Sequence, residues 1–307
     1  MFTSVFSRIS VIFAVLLIGA IGRWCKVLSK ESTDGLTRLT FEITLPLLYF
    51  STLAANLNRE LFLSIWPLVL WAGALTLLSL AVSWIFALGL NGAGPQRRTF
   101  IFLATFGNYG FLAIPLIYAL FGQEGLILIF VFNLGLAFLY WTLGVSILDT
   151  TPKKGRQLFA NIFNNATIAL ILGLVVGITN LPLPRFLLEA ARMIGDTSIA
   201  LALVVIGSLL AQKDSAQKFS WRTMGLLALC RLLVIPALAL VLVQLWPGLP
   251  KTWGALVVLQ AAMPSASTTP ILTRRFGGDS ESAASGVFFT TLLSILTIPL
   301  FMSLALR

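Results

Sequence analysis

The sequence predicts an all-α membrane protein of ten transmembrane helices, arranged as two inverted five-helix repeats. Three observations predict it: apolar runs fill the chain, charge is confined to the short tethers between them, and an odd number of runs lies on each side of one basic linker. The 307 residues are 58% hydrophobic and only 10% charged, and the mean hydropathy is +0.96. A soluble domain of this length is roughly 45–50% apolar and about 25% charged. A water-facing surface needs more ionic groups than this chain owns, so its outer surface faces lipid.

A helix needs about 20 apolar residues to cross a bilayer core. Ten segments qualify: 4–24, 35–55, 61–90, 99–121, 125–148, 158–178, 189–211, 221–246, 252–274 and 281–305. Span 1 has no small-residue cleavage site before Arg23 and Lys26 and reads as a retained helix, not a signal peptide. Separators such as Asn56-Leu57-Asn58-Arg59, Asn91-Gly92-Ala93-Gly94-Pro95 and Pro182-Leu183-Pro184 carry turn chemistry. Fourteen Lys and Arg residues fall on the side after spans 1, 3, 5, 7 and 9, six fall on the other, and Arg231 lies inside span 8. The excess of basic residues marks the cytoplasmic side and puts both termini outside the cytoplasm. In a bacterium the membrane is then the inner one.

Five spans precede the linker Thr151-Pro152-Lys153-Lys154-Gly155-Arg156 and five follow it. The expected units are a first repeat over 1–150, a short cytoplasmic linker over 151–157 and a second repeat over 158–307. With an odd number of spans per half, the second half enters the membrane from the opposite side, so homologous halves form an inverted repeat. A shift of 155 residues superposes Pro115, Phe121, Gly122 and Glu124 on Pro270, Phe276, Gly277 and Asp279. A shift of 157 aligns Ser51-Thr52-Leu53-Ala54 with Ser208-Leu209-Leu210-Ala211.

Spans 4 and 9 are interrupted in mid-membrane by Gly107-Asn108-Tyr109-Gly110 with Pro115, and by Pro264-Ser265-Ala266-Ser267-Thr268-Thr269-Pro270. Proline removes a backbone donor and breaks a helix, and in hydrocarbon the freed groups survive only inside protein or beside a polar cavity. Corresponding interruptions in two repeats are the sequence mark of a transporter site. Such breaks expose helix N-termini, which favour negative charge. Asn108, Tyr109, Ser265, Ser267, Thr268 and Thr269 add polar groups without fixed charge, and Pro115 and Pro270 mark the breaks. A small organic anion suits this site better than a cation does. Glu42, Asp196 and Arg231 are the ionisable residues inside apolar runs. Glu42 and Arg231 lie at similar depth and can pair; the functional alternative is that Arg231 attracts the anion while Glu42 or Asp196 titrates.

The stretch Gly107-Asn108-Tyr109-Gly110-Phe111-Leu112-Ala113-Ile114-Pro115-Leu116 resembles the fourth-helix motif of the auxin efflux carrier family, which includes the plant PIN-type carriers and many bacterial relatives. Ala261-Ala262-Met263-Pro264 through Pro270, then Arg274-Arg275-Phe276-Gly277-Gly278-Asp279, resembles its ninth helix and following loop. Gly195-Asp196-Thr197-Ser198 and Leu45-Pro46-Leu47-Leu48 resemble its helices 7 and 2. The resemblance implies ten helices in two inverted repeats, with helices 4 and 9 crossing at prolines that fall on Pro115 and Pro270. It implies a scaffold of helices 1, 2, 6 and 7 beside a transport domain of helices 3–5 and 8–10, and a homodimer through helices 2 and 7. It also implies elevator-like secondary transport of small organic anions, among them auxin and dicarboxylates, with the family's asparagine on Asn108. The short linker departs from the long-loop plant carriers, which speaks against loop phosphorylation and against auxin as substrate.

The chain has no histidine and two isolated cysteines, Cys25 and Cys230. This removes histidine-based zinc sites, Ser-His-Asp triads and histidine relays, and no metal, cofactor or enzymatic activity is expected. The charge of +10 reads as topogenic and lipid-headgroup charge; nucleic acid is not an expected partner. Two alternatives stay open, a sodium-coupled carrier of the bile-acid-transporter-like fold and an anion channel. The coupling ion is open between proton, sodium and none.

Overall fold

The computed structural model describes residues 2–90, 94–149, 162–211 and 219–306, with side chains from residue 7 onward. The linker 151–157, the first turn expected for span 6, and Lys213 and Lys218 lie outside the described residues. Among the described residues the fold is all-helical, with one isolated two-residue bridge as its only extended pairing.

Helix α1 covers Phe2–Trp24. A continuous helical stretch follows, from α2 (Lys30–Leu39) through a π turn (Thr40–Thr44) into α3 (Leu45–Asn56). Pro46 cannot donate to the carbonyl of Glu42 one turn earlier, and the Asn165 side-chain amide donates to that freed oxygen at 3.3 Å. Helices α4 (Arg59–Ile65) and α5 (Pro67–Leu88) adjoin, and α6 (Pro95–Thr105) ends where the first interruption begins. Helix α7 (Ala113–Leu139) runs through a π turn (Tyr140–Gly144) into α8 (Val145–Leu148). Helices α9 (Asn165–Thr179) and α10 (Arg185–Leu210) follow. Helix α11 (Trp221–Ala228) passes through a third π turn (Leu229–Val234) into α12 (Ile235–Gln244). Helix α13 (Lys251–Ala262), the second interruption, α14 (Thr269–Phe276) and α15 (Ser280–Ala305) complete the chain.

Among the described residues, six helical stretches are long and apolar enough to cross a membrane: Ser7–Trp24, Arg59–Leu88, Ala113–Leu148, Arg185–Leu210, Trp221–Gln244 and Ser280–Ala305. The other expected spans fall short of that test for physical reasons. The stretch containing span 2 opens on the polar turns of α2, spans 4 and 9 are broken, and α9 is apolar but short. Two glycines reverse the chain after the breaks. Gly122, at φ 61°, kinks α7, and Gly277, at φ 87°, ends α14. Both conformations strongly favour glycine, and the two positions are those that the 155-residue shift superposes.

Helix contacts sort into two groups. In the first, α1 packs on α10, and α3 packs on α9 and α10. Backbones touch there: a Cβ on Gly19 would overlap the Val204 carbonyl, and one on Gly207 the Leu16 carbonyl. Close backbone approach through small residues is how helices associate without a hydrophobic driving force. In the second group α5 packs on α6 and α7, α13 on α7, α12 and α15, and α14 on α15. Helix α7 also touches α1 and α3, so it joins the groups. Phe41 stacks on Phe111 at 5.8 Å, and Tyr49 meets Phe130 edge-on at 4.5 Å across the same boundary.

Asp279 fastens the turn between α14 and α15. Its carboxylate accepts from the Glu281 and Ser282 amides at 3.2 and 3.0 Å, and its own amide donates to Thr99 at 2.9 Å. Burial pushes this carboxyl up, but hydrogen bonds from Ser282, Gln96 and Glu281 outweigh it and hold it below the usual carboxylate range. A depressed native pKa contributes stability above the unfolded value, and that contribution is lost as pH falls through the native one. Asp279→Ala is expected to lower stability by about 1 kcal/mol at neutral pH. The gap between variant and wild-type melting temperatures should close on acidification below the usual carboxylate range; a gap that stays constant with pH would contradict this account of the cap.

Candidate functional site

The two interruptions meet. Helix α6 ends at Thr105 and helix α13 at Ala262, and Phe106 and Met263 turn into extended conformation. Gly107 and Ser265 then form an antiparallel bridge. The Asn108 amide donates to the Pro264 carbonyl at 2.7 Å, and the Ala266 amide to the Phe106 carbonyl at 3.0 Å. Each broken helix thus satisfies the backbone freed in the other, as an apolar medium requires. Ser265 adds two clasps. Its hydroxyl donates to the Leu103 carbonyl at 2.9 Å, and its amide donates to the Thr290 hydroxyl of α15 at 3.2 Å.

A cavity of about 150 Å³ lies against this junction, between the two helix groups. One wall is Gly107–Phe111 with Ala266, Ser267 and Thr268; the facing wall comes from α3, α9 and the π turn before it, including Tyr49 and Thr167. Asn133, Tyr140 and Trp141 of α7 and its π turn close a third side. No Lys, Arg, Asp or Glu is among the lining residues.

The residues singled out in the sequence divide accordingly. Asn108, Tyr109, Ser267 and Thr268 line the cavity. Asn108 is 3% exposed and its side-chain nitrogen has no hydrogen-bond partner among the described residues, which leaves it able to donate to an acceptor in the cavity. The Thr268 and Tyr140 hydroxyls are 2.8 Å apart, and the Tyr109 hydroxyl donates to the Thr105 carbonyl at 3.2 Å. Ser265 and Thr269 sit behind the wall: Thr269 is buried and its hydroxyl donates to the Ala266 carbonyl at 2.6 Å. Pro115 and Pro270 lie in the first turns of α7 and α14, where a missing amide costs little. They start the second half-helices and do not reach the cavity.

The ionisable candidates are elsewhere. Glu42 pairs with Arg38 at 3.1 Å on an exposed face, and Asp196 lies 3.8 Å from Arg192, also exposed. The expected Glu42–Arg231 pair does not form. Arg231 is fully buried and its guanidinium is taken by backbone carbonyls. Glu42 stands on an exposed face beside Arg38 while Arg231 is enclosed among backbone carbonyls, so the two side chains do not share a facing.

Sequence reasoning missed Asn133, Tyr140, Trp141 and Tyr49. Asn133 carried a readable signal, a lone amide within the apolar span 5. It accepts from the Gln260 side-chain amide at 3.2 Å and lines the cavity together with Tyr49. The aromatic residues gave none, since aromatic side chains are ordinary in membrane helices. Ser265→Ala is expected to leave the buried Leu103 carbonyl without its side-chain donor and to cost about 1–3 kcal/mol. The check is the melting temperature in detergent; an unshifted midpoint would remove Ser265 from the junction's support.

A family model described as membrane transport protein matches residues 4–302. An uncharacterized transporter of Methanothermobacter thermautotrophicus is 26% identical over 294 residues, covering 94% of each chain. An uncharacterized transporter of Methanocaldococcus jannaschii is 27% identical over 308 residues, covering 94% of this chain and 95% of its own. The match runs through the helices, both interruptions and the junction between them: the chain belongs to the membrane transport protein family, that of the auxin efflux carriers, and is a multi-pass integral membrane protein.

Proposed function

We propose that this protein is a secondary transporter of small organic anions, bound in the cavity at the paired helix breaks. The carrying observation is the buried Asn108 side-chain nitrogen, unpartnered among the described residues, on a wall without charged side chains. It offers donors to an acceptor. The starts of α7 and α14 flank the same junction and add positive partial charge, while Tyr49, Phe111, Tyr140 and Trp141 suit an apolar body. A mono- or dicarboxylate with such a body fits this combination.

In this reading the ten spans form two inverted repeats, 1–150 and 158–307 about the linker 151–157, with both termini outside the cytoplasm. The matched glycine reversals at Gly122 and Gly277 and the mutual pairing of the breaks support it. Spans 1, 2, 6 and 7 act as the scaffold and spans 3–5 and 8–10 as the moving unit in an elevator-like cycle. The two contact groups follow this division. The anion crosses while held by the moving unit. Glu42 and Asp196 stand outside the cavity beside Arg38 and Arg192, which gives neither a direct part in binding.

The test is thermal stabilisation of the purified protein by a panel of mono- and dicarboxylates, with Asn108→Ala alongside. A ligand present at 100 times its Kd stabilises by about 2.7 kcal/mol. A carboxylate should raise the wild-type melting temperature and leave the variant's nearly unchanged. Silence of the wild type across the panel would overturn the anion reading, and non-saturable flux of a bound anion in liposomes would replace carrier by channel.

A further inference from the structure

Arg231 is a fully buried arginine that meets no carboxylate among the described residues. It sits in the π turn before Pro236. From there its guanidinium reaches the ends of both broken helices. The Nε donates to the Met263 carbonyl at 2.7 Å and one terminal nitrogen to Gln260 at 3.2 Å, at the end of α13. The other terminal nitrogen donates to Thr105 at 3.3 Å and Ala104 at 3.5 Å, at the end of α6. Ala104 and Thr105 hold carbonyls that a helix C-terminus leaves without an intrahelical partner, and the Gln260 carbonyl also accepts from the Met263 amide at 3.4 Å.

The space around the guanidinium is made for it. A Cβ on Gly107 would overlap its terminal nitrogen, so the first break carries no side chain there. The Tyr109 ring lies 5.7 Å from the guanidinium carbon on one side and lines the cavity on the other. Arg231 is not itself a lining residue. It stands one aromatic ring behind the wall.

The charge balance at the junction follows. Each helix C-terminus carries about −0.5 elementary charge and each N-terminus about +0.5. The ends of α6 and α13 together bring about −1 to the junction, and the starts of α7 and α14 bring about +1. Four helix ends alone therefore cancel. Arginine's fixed charge tips the junction positive, and its planar fork spans two helices as a lysine ammonium cannot.

We propose that Arg231 is the positioning residue that gives the cavity its preference for anions, acting through the two helix C-termini it caps and not by touching the ligand. The proposal rests on the reading of the cavity as an anion site. A purely mechanical clamp would make a different prediction, loss of stability with no change in charge preference.

The experiment compares binding of benzoate and benzamide, an anion and its neutral counterpart matched to the aromatic lining, to the full-length purified protein. Folded protein is isolated by size exclusion before each titration. Wild type should prefer benzoate. In Arg231→Met the preference should fall about tenfold or more, the scale of one unit charge acting over a short distance in a partly buried site. Arg231→Gln, which keeps a donor for the carbonyls, should lose it as well and serves if the methionine variant does not fold. Arg231→Lys should retain most of the preference while melting at a lower temperature. An unchanged benzoate-to-benzamide ratio in a folded neutral variant would overturn the proposal and leave the clamp. A wild type that binds both probes equally would defeat the anion reading itself, and this proposal with it.

Discussion

Two backbone hydrogen bonds, from Asn108 to Pro264 and from Ala266 to Phe106, are what allow two helices to be broken at the same level of the protein. In water the freed amides and carbonyls would find solvent. In hydrocarbon they must find protein, at several kcal/mol each if they fail. Mutual pairing solves the problem for both helices at once, and it dictates what surrounds it. Ser265 and Thr290 take up groups the bridge leaves over, and Arg231 takes the carbonyls of the inward half-helices. Each second half-helix carries a proline in its first turn, which has no amide to satisfy. The cavity beside the bridge is the space that this pairing leaves on its open side.

The arrangement also explains why the cavity holds polar groups yet no charged side chain. Partial charges at helix ends are fixed in place and need no mobile counterion. Asn108, Tyr140 and Thr268 supply hydrogen-bonding groups that stay neutral at any ordinary pH. The two carboxylates that the sequence sets inside apolar runs, Glu42 and Asp196, end on exposed faces with an arginine one turn away.

Much of this was legible beforehand because it is written in local chemistry. Proline, glycine and a polar run inside an apolar span announce a break, and Phe121-Gly122 and Phe276-Gly277 both prove to be positive-φ reversals. The family was legible from the Gly107–Leu116 and Ala261–Asp279 motifs and is borne out along 4–302. What escaped was facing. Hydropathy marks Glu42 and Arg231 as charges within apolar runs but not which way each faces, Glu42 to an exposed side and Arg231 inward. The cavity's aromatic wall escaped for the same reason, since a Tyr140 turned inward and one turned to lipid read alike. Ser265 and Thr269 read as ligand groups because a hydroxyl in a break can serve backbone or substrate equally; both serve the backbone here.

Gln260 ties two of these features together. Its main-chain carbonyl accepts from Arg231, and its side-chain amide donates to Asn133, which lines the cavity beside Tyr49 of α3. Tyr49 belongs to the first helix group and the other three to the second. The guanidinium behind the cavity wall and an amide on the boundary between the groups are therefore held by the two ends of one glutamine.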